Sequence, residues 1–213
     1  MIAALPMYDR PETAAANDRL WAGIRDRLRA AGIDAPDRLA RDRPAAEVWD
    51  DPGLVLAQTC GLPYRARLHG RVALVGTPDY GVEGCAPGYY RSALVVRADD
   101  PRGAILAWRG ARLAYNDALS QSGWAAPQGF AALHGFRFAD TLATGSHRES
   151  ARAVAEGRAG IAAIDAVTWR LIRRWDGFAD TLRVLEHTLP TPGLPRVTAL
   201  AAEADAIRAA GAA

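Results

Sequence analysis

The sequence contains no lysine: all 26 residues counted as lysine or arginine are arginine. A chain without a lysine amine cannot form a Schiff base with a substrate, hold pyridoxal phosphate covalently, or supply the lysine of a GxxxxGK[ST] phosphate-binding loop. These exclusions remove several cofactor-dependent reactions, and we expect no cofactor.

Cysteine is scarce as well. The two cysteines, Cys60 and Cys85, are too few for a disulfide scaffold and lack the CxxC spacing of zinc or thioredoxin-like sites. Their spacing leaves open whether they pair with each other. His69, His134 and His187 have no metal-ligand spacing around them, and we expect no metal site.

Strong net charge and long apolar runs are also absent. The 26 basic and 24 acidic side chains leave a formal net charge of +2, which does not favour nucleic acid or an anionic membrane as a partner. No stretch reaches the roughly 18 apolar residues of a membrane span. Residues 1–6 lack the features of a signal peptide, so we expect a protein without membrane insertion, periplasmic if a leader has been removed and cytoplasmic otherwise.

Short apolar or β-branched runs alternate with helical patterns along the chain. This alternation predicts an α/β protein with mostly parallel sheets. Strands are predicted at 2–8, 54–58, 72–80, 92–97, 111–116, 140–143, 160–164, 182–186 and 196–200. Helices are predicted at 13–31, 61–68, from about 121, 147–156, 168–175 and 202–210.

A stretch punctuated by glycine and proline, residues 81–88, precedes a strand that no helical crossover leads into. Such a break is typical of a change of lobe. The sequence therefore predicts two lobes: residues 1–90 with 187–213 form lobe one, and residues 91–186 form lobe two. The strand at 182–186 carries the chain back towards lobe one.

The first candidate binding residues follow the strand predicted at 111–116. Ser120, Gln121 and Ser122, with Gly123 after them, lie where that strand passes into a helix. In open α/β sheets, ligands bind beyond the carboxyl ends of strands, where helix N-termini present free N–H groups. Two hydroxyls beside a glycine suit phosphate, phosphonate, sulfate or carboxylate. The alternative, given equal weight, is that both serines only cap the helix.

A second junction, TGSH at 144–147, brings hydroxyls and the imidazole of His147 to the start of the next predicted helix. A bound dianion would favour the cationic imidazole there. The alternative is a capping box of Ser146 and Glu149 followed by a surface histidine. A third junction holds Asp165, which either accepts a hydrogen bond from a ligand or caps its own helix.

Two further candidates follow strands of lobe one. Tyr8 ends the first predicted strand, and Thr59 follows the strand at 54–58. Polar groups are thus expected at the carboxyl ends of strands in both lobes. Together they predict a cleft that binds a small polar anion.

Several phrases of the sequence resemble the phosphate/phosphite/phosphonate ABC-transporter substrate-binding protein family. The similarity runs in order from about residue 5 to residue 195, and SxSG and GSH are its most specific elements. The phrases are LPMYD (5–9), QTCG (58–61), GYYRS (88–92), ND with SQSG (116–117 and 120–123), TGSH (144–147) and AIDAVTW (163–169).

The resemblance implies a type II periplasmic-binding-protein clamp, with two α/β lobes joined by two crossing strands. It implies that Ser120, Gln121 and Ser122 hold an oxyanion together with backbone N–H groups. His147 would add a charged or neutral donor, Tyr8 would close from lobe one, and Asp165 would meet a further ligand group. An ABC permease is then the expected protein partner.

Two functions fit these features. The first is a solute-binding protein that closes on a small oxyanion such as a phosphonate, phosphite or phosphate. The second is a dehydratase-like enzyme on the same fold, with His147 or Asp165 as the general base. The sequence pairs no nucleophile with a base, and this favours binding over catalysis.

Overall fold

The computed structural model describes residues 1–212. These residues form two compact units, and the chain passes between them twice. Unit one comprises residues 1–78 and residue 193 onward, and unit two comprises residues 79–192. The sequence predicts lobe boundaries at 90/91 and 186/187. Because compact units are not the same as lobes, these boundaries stay a prediction.

The strands are short, and every helix except the first has fewer than three full turns. In chain order the strands are β1 (Ile2–Ala4), β2 (Leu54–Gln58), β3 (Ala73–Gly76), β4 (Tyr89–Tyr90), β5 (Ser92–Arg97), β6 (Leu113–Tyr115), β7 (Thr141–Ala143), β8 (Ile161–Asp165), β9 (Leu182–His187), β10 (Thr191–Pro192) and β11 (Arg196–Thr198). The helices are α1 (Pro11–Ala30), α2 (Ala45–Trp49), α3 (Gly61–Pro63), α4 (Ala126–Leu133), α5 (His147–Ala155), α6 (Ala166–Trp175) and α7 (Ala204–Ala212).

Several of these helices are extended by tighter or wider turns. Two are extended by single π-helical turns: Tyr64–Leu68 continues α3, and Gln121–Ala125 leads directly into α4. Turns of 3-10 helix lie at Pro6–Tyr8, Ile105–Trp108, Gly177–Thr181 and Ala201–Glu203. The helix predicted from about residue 121 therefore begins there, but its first turn is π-helical.

Unit one is built on a sheet of strand order β1-β2-β11-β3. All five residues of β2 are buried, which explains why this strand has an uninterrupted apolar run rather than an alternating pattern. Helix α1 presents Trp21, Ile24 and Leu28 to the core at helical spacing. Each such side chain contributes about 1.5–3 kcal/mol on burial.

Unit two is built on a sheet of strand order β7-β6-β8-β5-β9, covered on both faces. Along β5, Ala93 and Val95 pack into one apolar cluster, whereas Leu94 and Val96 pack into the other. The first cluster includes residues of α5 and α6, and the second includes Trp108, Phe136 and Phe138. Burial on both faces accounts for the continuous apolar sequences of β5 and β8.

The main sheet of each unit contains a single reversed strand, and β4 and β10 form a separate antiparallel pair. Strand β6 is parallel to β7 and β8, while β5 is antiparallel to both β8 and β9. In unit one, β1 and β2 are parallel, and β11 is antiparallel to β2 and β3. All other strands of each sheet therefore share one direction, as the sequence predicts. The reversed strands, β5 and β11, follow soon after the chain has entered their unit, without a helical crossover that would impose parallel pairing.

Two predicted strands are shorter in the structure than expected. The strand predicted at 2–8 ends at Ala4 and is followed by a 3-10 turn that begins at Pro6. The strand predicted at 72–80 spans Ala73–Gly76, and Pro78 follows it. Proline lacks the N–H that a strand needs for its ladder, so both strands stop before one. The remaining strand and helix predictions agree with the structure to within a few residues.

Candidate functional site

Three parallel strands of unit two end at one edge of its sheet. Strands β7, β6 and β8 are neighbours that run in the same direction, so their carboxyl ends lie together. Each of them leads into a helix: β6 into the turn Gln121–Ala125 and α4, β7 into α5, and β8 into α6. The N–H groups of a helix's first turn have no partner within the helix, and the dipole gives that end a partial positive charge. This edge therefore favours a bound anion.

Ser120 is the N-cap of the helix that follows β6. Its Oγ accepts a hydrogen bond from the backbone N–H of Gly123 at 2.9 Å, and the side chain is buried. Asp117 fixes the preceding loop, because its carbonyl accepts from Ser120 N and its Oδ1 from Leu119 N. The capping alternative is therefore observed for Ser120. An accepting hydroxyl still has its own hydrogen to donate.

Ser122 connects two of the three junctions. Its Oγ lies 2.8 Å from Nε2 of His147, the first residue of α5. Its carbonyl accepts a hydrogen bond from the Ser92 hydroxyl at 2.9 Å. Ser92 and Ser122 are both buried, so these bonds are shielded from competing water. The hydroxyl and imidazole singled out in the sequence thus form one hydrogen-bonded pair.

Position 123 has room only for glycine, because the side chains of Asn116 and His147 pack against its backbone. A Cβ at this position would lie 1.9 Å from Oδ1 of Asn116 and 3.2 Å from Cε1 of His147. Any larger residue would displace the Asn116 amide from the place where it meets the helix. The glycine therefore allows Asn116, Ser122 and His147 to come together.

His147 is neutral in the free protein near pH 7. Burial lowers the pKa of its imidazole to about 4, and the backbone carbonyl of Ala163 opposes this shift in part. Part of the residue reaches the surface, but its Nδ1 is fully enclosed. An uncharged imidazole agrees with one of the two donor states that the resemblance implies, and it means that the free site holds no cationic histidine.

Asp165 caps α6. Its Oδ1 accepts hydrogen bonds from Val167 N at 2.8 Å and Thr168 N at 3.0 Å, and the side chain is buried. In the sheet, Asp165 lies opposite Ser92, whose hydroxyl reaches Ser122. The capping alternative is observed here too, and a contact between Asp165 and a ligand stays a prediction.

The loop between β7 and α5 is fastened to β6. The Thr144 N–H donates to the carbonyl of Tyr115, and Thr144 Oγ1 lies 2.6 Å from Oγ of Ser150. Ser146 caps α5 by accepting from Glu149 N at 3.1 Å. These bonds hold the start of α5, and with it His147, against the end of β6.

The candidates of unit one lie at the edge of their own sheet. Tyr8 ends the 3-10 turn after β1, and its carbonyl accepts from the Thr13 hydroxyl at 2.7 Å. Thr59 follows β2, is fully buried, and donates its N–H to the carbonyl of Pro195 at 2.9 Å. Gln121, in unit two, is buried as well. Ligand contacts by these three residues stay predictions.

Two residues of the network have no role in the sequence-based site. Ser92 begins a strand whose next four residues are apolar and buried, and a polar residue at such a position is a signal of a buried hydrogen bond. Asn116 directly follows β6 beside the SxSG phrase, but nothing in the sequence indicates that its amide lies against Gly123, near His147. Those contacts arise from residues that are separated along the chain.

Other candidate chemistry is sparse in residues 1–212. Cys60 and Cys85 are not joined by a disulfide bond in this range. Within this range no three His, Cys, Asp or Glu side chains are grouped to hold a metal ion. None of the helices described there has the length and apolar character to cross a membrane.

Comparison with known proteins identifies the family of this chain and relatives with the same fold. A family model described as ABC transporter, phosphonate, periplasmic substrate-binding protein matches residues 56–210. No functionally curated protein sequence matches the chain significantly. The structural neighbours reported next share the type II periplasmic-binding-protein fold at low sequence identity, and they confirm the fold class predicted from the sequence.

Three solved structures illustrate the similarity. PhnD1 from Prochlorococcus marinus, in complex with methylphosphonate, is 15% identical with a TM-score of 0.75, covering 98% of this chain and 82% of that one. XAC2383 from Xanthomonas citri, bound to ATP, is 18% identical with a TM-score of 0.72, covering 99% and 81%. A binding protein component of an ABC phosphonate transporter from Pseudomonas aeruginosa is 19% identical with a TM-score of 0.68, covering 94% and 68%. The enzyme alternative receives no support from these findings.

Proposed function

The chain belongs to the family of periplasmic substrate-binding proteins of phosphonate ABC transporters, and from this premise we propose that it binds a small phosphonate-type oxyanion where β6, β7 and β8 of unit two end. Membership makes it a solute-binding protein. The proposal concerns the ligand class and the residues that hold it: Ser120, Gln121 and Ser122, the N–H groups of the helix turn that they begin, and His147.

The observation that carries the proposal is the hydrogen bond between Ser122 Oγ and His147 Nε2, 2.8 Å long. It joins side chains at the beginnings of two helices whose positive dipole ends lie at the same sheet edge. Each helix terminus contributes roughly 0.3–1 kcal/mol to anion binding when exposed and up to about 2 kcal/mol when partly buried. Several such contributions, together with oriented hydrogen bonds, support micromolar affinity, about −8 kcal/mol.

The chemistry of the site favours a compact tetrahedral oxyanion. Hydroxyls and backbone N–H groups converge there, while His147 is uncharged and no lysine exists to add a point charge. Oriented backbone N–H dipoles and the hydroxyl of Ser120 compensate an anion without a cation when several of them meet it at once. Methylphosphonate, the ligand of the Prochlorococcus protein, is the natural first probe. ATP, the ligand of the Xanthomonas protein, is the second.

Three further residues belong to the proposal as predictions of their own. Asp165 would accept a hydrogen bond from a ligand group, although its Oδ1 also caps α6. Tyr8 and Thr59 of unit one would contribute contacts from the carboxyl ends of β1 and β2. Substitution of each residue in the binding experiment below assigns or removes its role.

The family also bears on partner and compartment. Its members are periplasmic and serve ABC transporters. We propose that this chain delivers its ligand to an ABC permease and does so in the periplasm. Reconstituted transport with a candidate permease, with and without the protein, tests the partner separately from ligand binding.

Isothermal titration calorimetry in phosphate-free buffer tests the ligand class. The probes are methylphosphonate, phosphite, phosphate, sulfate, ATP and acetate. We expect binding of a phosphonate-type anion that weakens at least about tenfold, or 1.4 kcal/mol, in Ser122→Ala and in His147→Gln. The matched control, His134→Ala, alters an exposed histidine of the same unit and is expected to bind as the wild type does.

Two results would contradict the proposal. One is the absence of binding by every oxyanion in a protein whose unfolding is cooperative. The other is unchanged affinity in both Ser122→Ala and His147→Gln, which would place the ligand elsewhere.

A further inference from the structure

Two buried polar atoms beside Gly123 have no hydrogen-bond partner among residues 1–212. They are Oδ1 of Asn116 and Nδ1 of His147. Buried polar atoms are nearly always paired in native proteins, because burial removes their hydrogen bonds to water. Two such atoms in one place point to a shared interaction.

The same glycine locates the two side chains relative to each other. A Cβ on Gly123 would lie 1.9 Å from Asn116 Oδ1 and 3.2 Å from His147 Cε1, which bounds the distance between those two atoms at 5.1 Å. Cε1 is bonded to both ring nitrogens, and Nε2 is already engaged with Ser122 at 2.8 Å. The two unpaired atoms, the amide oxygen and the remaining ring nitrogen Nδ1, therefore lie beside the same glycine.

The identity of these atoms decides where the imidazole hydrogen lies. A neutral imidazole has one N–H and one bare nitrogen. An amide oxygen only accepts hydrogen bonds, so it pairs with a ring nitrogen that carries a hydrogen. Ser122, by contrast, can either donate to Nε2 or accept from it. The arrangement in which every atom is paired has the hydrogen on Nδ1 and the Ser122 hydroxyl donating to Nε2.

We propose that Asn116 is a positioning residue of the anion site: its Oδ1 holds the hydrogen of His147 on Nδ1, so that Nε2 accepts the hydroxyl hydrogen of Ser122. Asn116 then acts through His147 and Ser122 without touching the ligand. The proposed interaction also restrains the plane of the imidazole at the start of α5.

This arrangement has a consequence for ligand choice, which rests on the proposed function. With its hydrogen committed to His147, Ser122 Oγ offers a ligand only lone pairs. It then accepts a hydrogen bond from a ligand oxygen that carries a hydrogen, as a phosphonate or phosphate monoanion does. Sulfate carries no such hydrogen near pH 7 and leaves that acceptor unpaired, which is an effective way to reject a ligand of similar shape.

Nitrogen NMR of the ligand-free protein tests the tautomer directly. The chain has four histidines, so long-range correlations in ¹⁵N-histidine-labelled protein resolve each ring, and His147→Gln assigns the signal of interest. We expect His147 to carry its hydrogen on Nδ1. A hydrogen on Nε2 would mean that the Asn116 amide faces the ring through its nitrogen, and the proposal would be overturned.

Substitutions at Asn116 test whether this residue sets the tautomer. Asn116→Leu removes the acceptor at similar volume and is expected to shift His147 to a mixture of tautomers. Asn116→Asp keeps an oxygen and is expected to preserve the hydrogen on Nδ1. Asn17→Ala, at the other asparagine of the chain, is the control, and unchanged signals of the other three histidines verify folding. An unchanged His147 tautomer in folded Asn116→Leu contradicts the proposal.

Titration with methylphosphonate and sulfate tests the consequence for the ligand. We expect the preference for methylphosphonate over sulfate to fall about tenfold in Asn116→Leu and to stay unchanged in Asn17→Ala. Equal preference in wild type and Asn116→Leu would contradict the link to ligand choice. If neither anion binds, the proposed function fails, while the NMR result still decides the role of Asn116.

Discussion

The main sheets of the two units present polar side chains at their carboxyl edges in different ways. In unit two, Ser92, Ser122 and His147 are hydrogen-bonded across three separate chain segments. In unit one, the recorded bonds of Thr59 run to backbone carbonyls, those of Pro195 and Cys60. Side chains that fix one another are oriented before a ligand arrives, and a preorganised group loses less entropy on binding. Unit two therefore has the more fully preorganised group of polar side chains.

The largest expected effect comes from filling the space at Gly123. Gly123→Ala places a methyl group 1.9 Å from Asn116 Oδ1, so the amide and the imidazole must move. We expect a loss of about 1–3 kcal/mol of stability from overpacking and loss of measurable anion binding. Chemical denaturation and calorimetry measure the two effects.

Gly129→Ala provides the matched control for this substitution. Gly129 lies in α4, and among the described residues no atom outside its own helix lies within 4 Å of a Cβ built there. Alanine is expected to stabilise the helix by about 0.5–1 kcal/mol at this position, with no change in binding. Equal effects of the two substitutions would show that the contact at Gly123 is unimportant.

A second prediction concerns acid. The pKa of His147 is lowered to about 4 in the folded protein by burial, against its ordinary value of 6.5. The unfolded chain therefore binds a proton first as the pH falls. The contribution of the neutral His147 side chain to the free energy of unfolding is fully present above pH 6.5, declines as the pH falls from 6.5 to 4, and is lost below pH 4. We expect a decline on the order of 2 kcal/mol, reduced from the full shift because the ring is partly exposed.

Denaturation at several pH values, with His147→Gln, measures this contribution. The pKa of His187 is also lowered, by burial and by Arg91, so His187→Gln separates its share. Asp100 does not interfere with this measurement, because it changes protonation at lower pH: the Arg102 side chain lowers the pKa of its carboxyl group to about 2. The same slope between pH 6.5 and 4 in His147→Gln as in the wild type would show that the imidazole is solvated.

The smallest expected effects compare one hydroxyl from each unit. Ser92→Ala leaves the carbonyl of Ser122 without its buried donor and is expected to cost about 1–2 kcal/mol of stability and to weaken anion binding. Thr59→Val removes a hydroxyl whose recorded bond, to the Cys60 carbonyl, is 3.4 Å long. We expect less than about 1 kcal/mol there. A larger stability loss from Thr59→Val would reverse the comparison between the units.

Local chemistry explains why most of the fold was predictable. The strands at 54–58 and 92–97 have the predicted bounds, because buried strands leave uninterrupted apolar runs in the sequence. The start of α5 was predictable too, since Ser146 is a good N-cap and does accept from Glu149 N. The family resemblance drawn from short phrases is confirmed by the family model that matches residues 56–210.

The arrangement of the candidate site was only partly predictable. Ser122 and His147 were singled out because each follows a strand, yet 25 residues separate them and no pattern links them. The role of Ser120 as a cap was one of two alternatives that the residues left open. Asn116 received no role, since its contact with Gly123 depends on how the turn after β6 folds back.

The sequence by itself determined the α/β class, the strand–helix junctions, the family and the residue types available to an anion. These follow from local periodicity, capping and short motifs, which act over a few residues. Only the tertiary structure decided that β5 runs against its neighbours, that Ser122 bonds to His147, and that Asn116 and His147 meet at Gly123. Pairing and packing bring distant segments within hydrogen-bonding distance, and burial then sets the neutral state of His147.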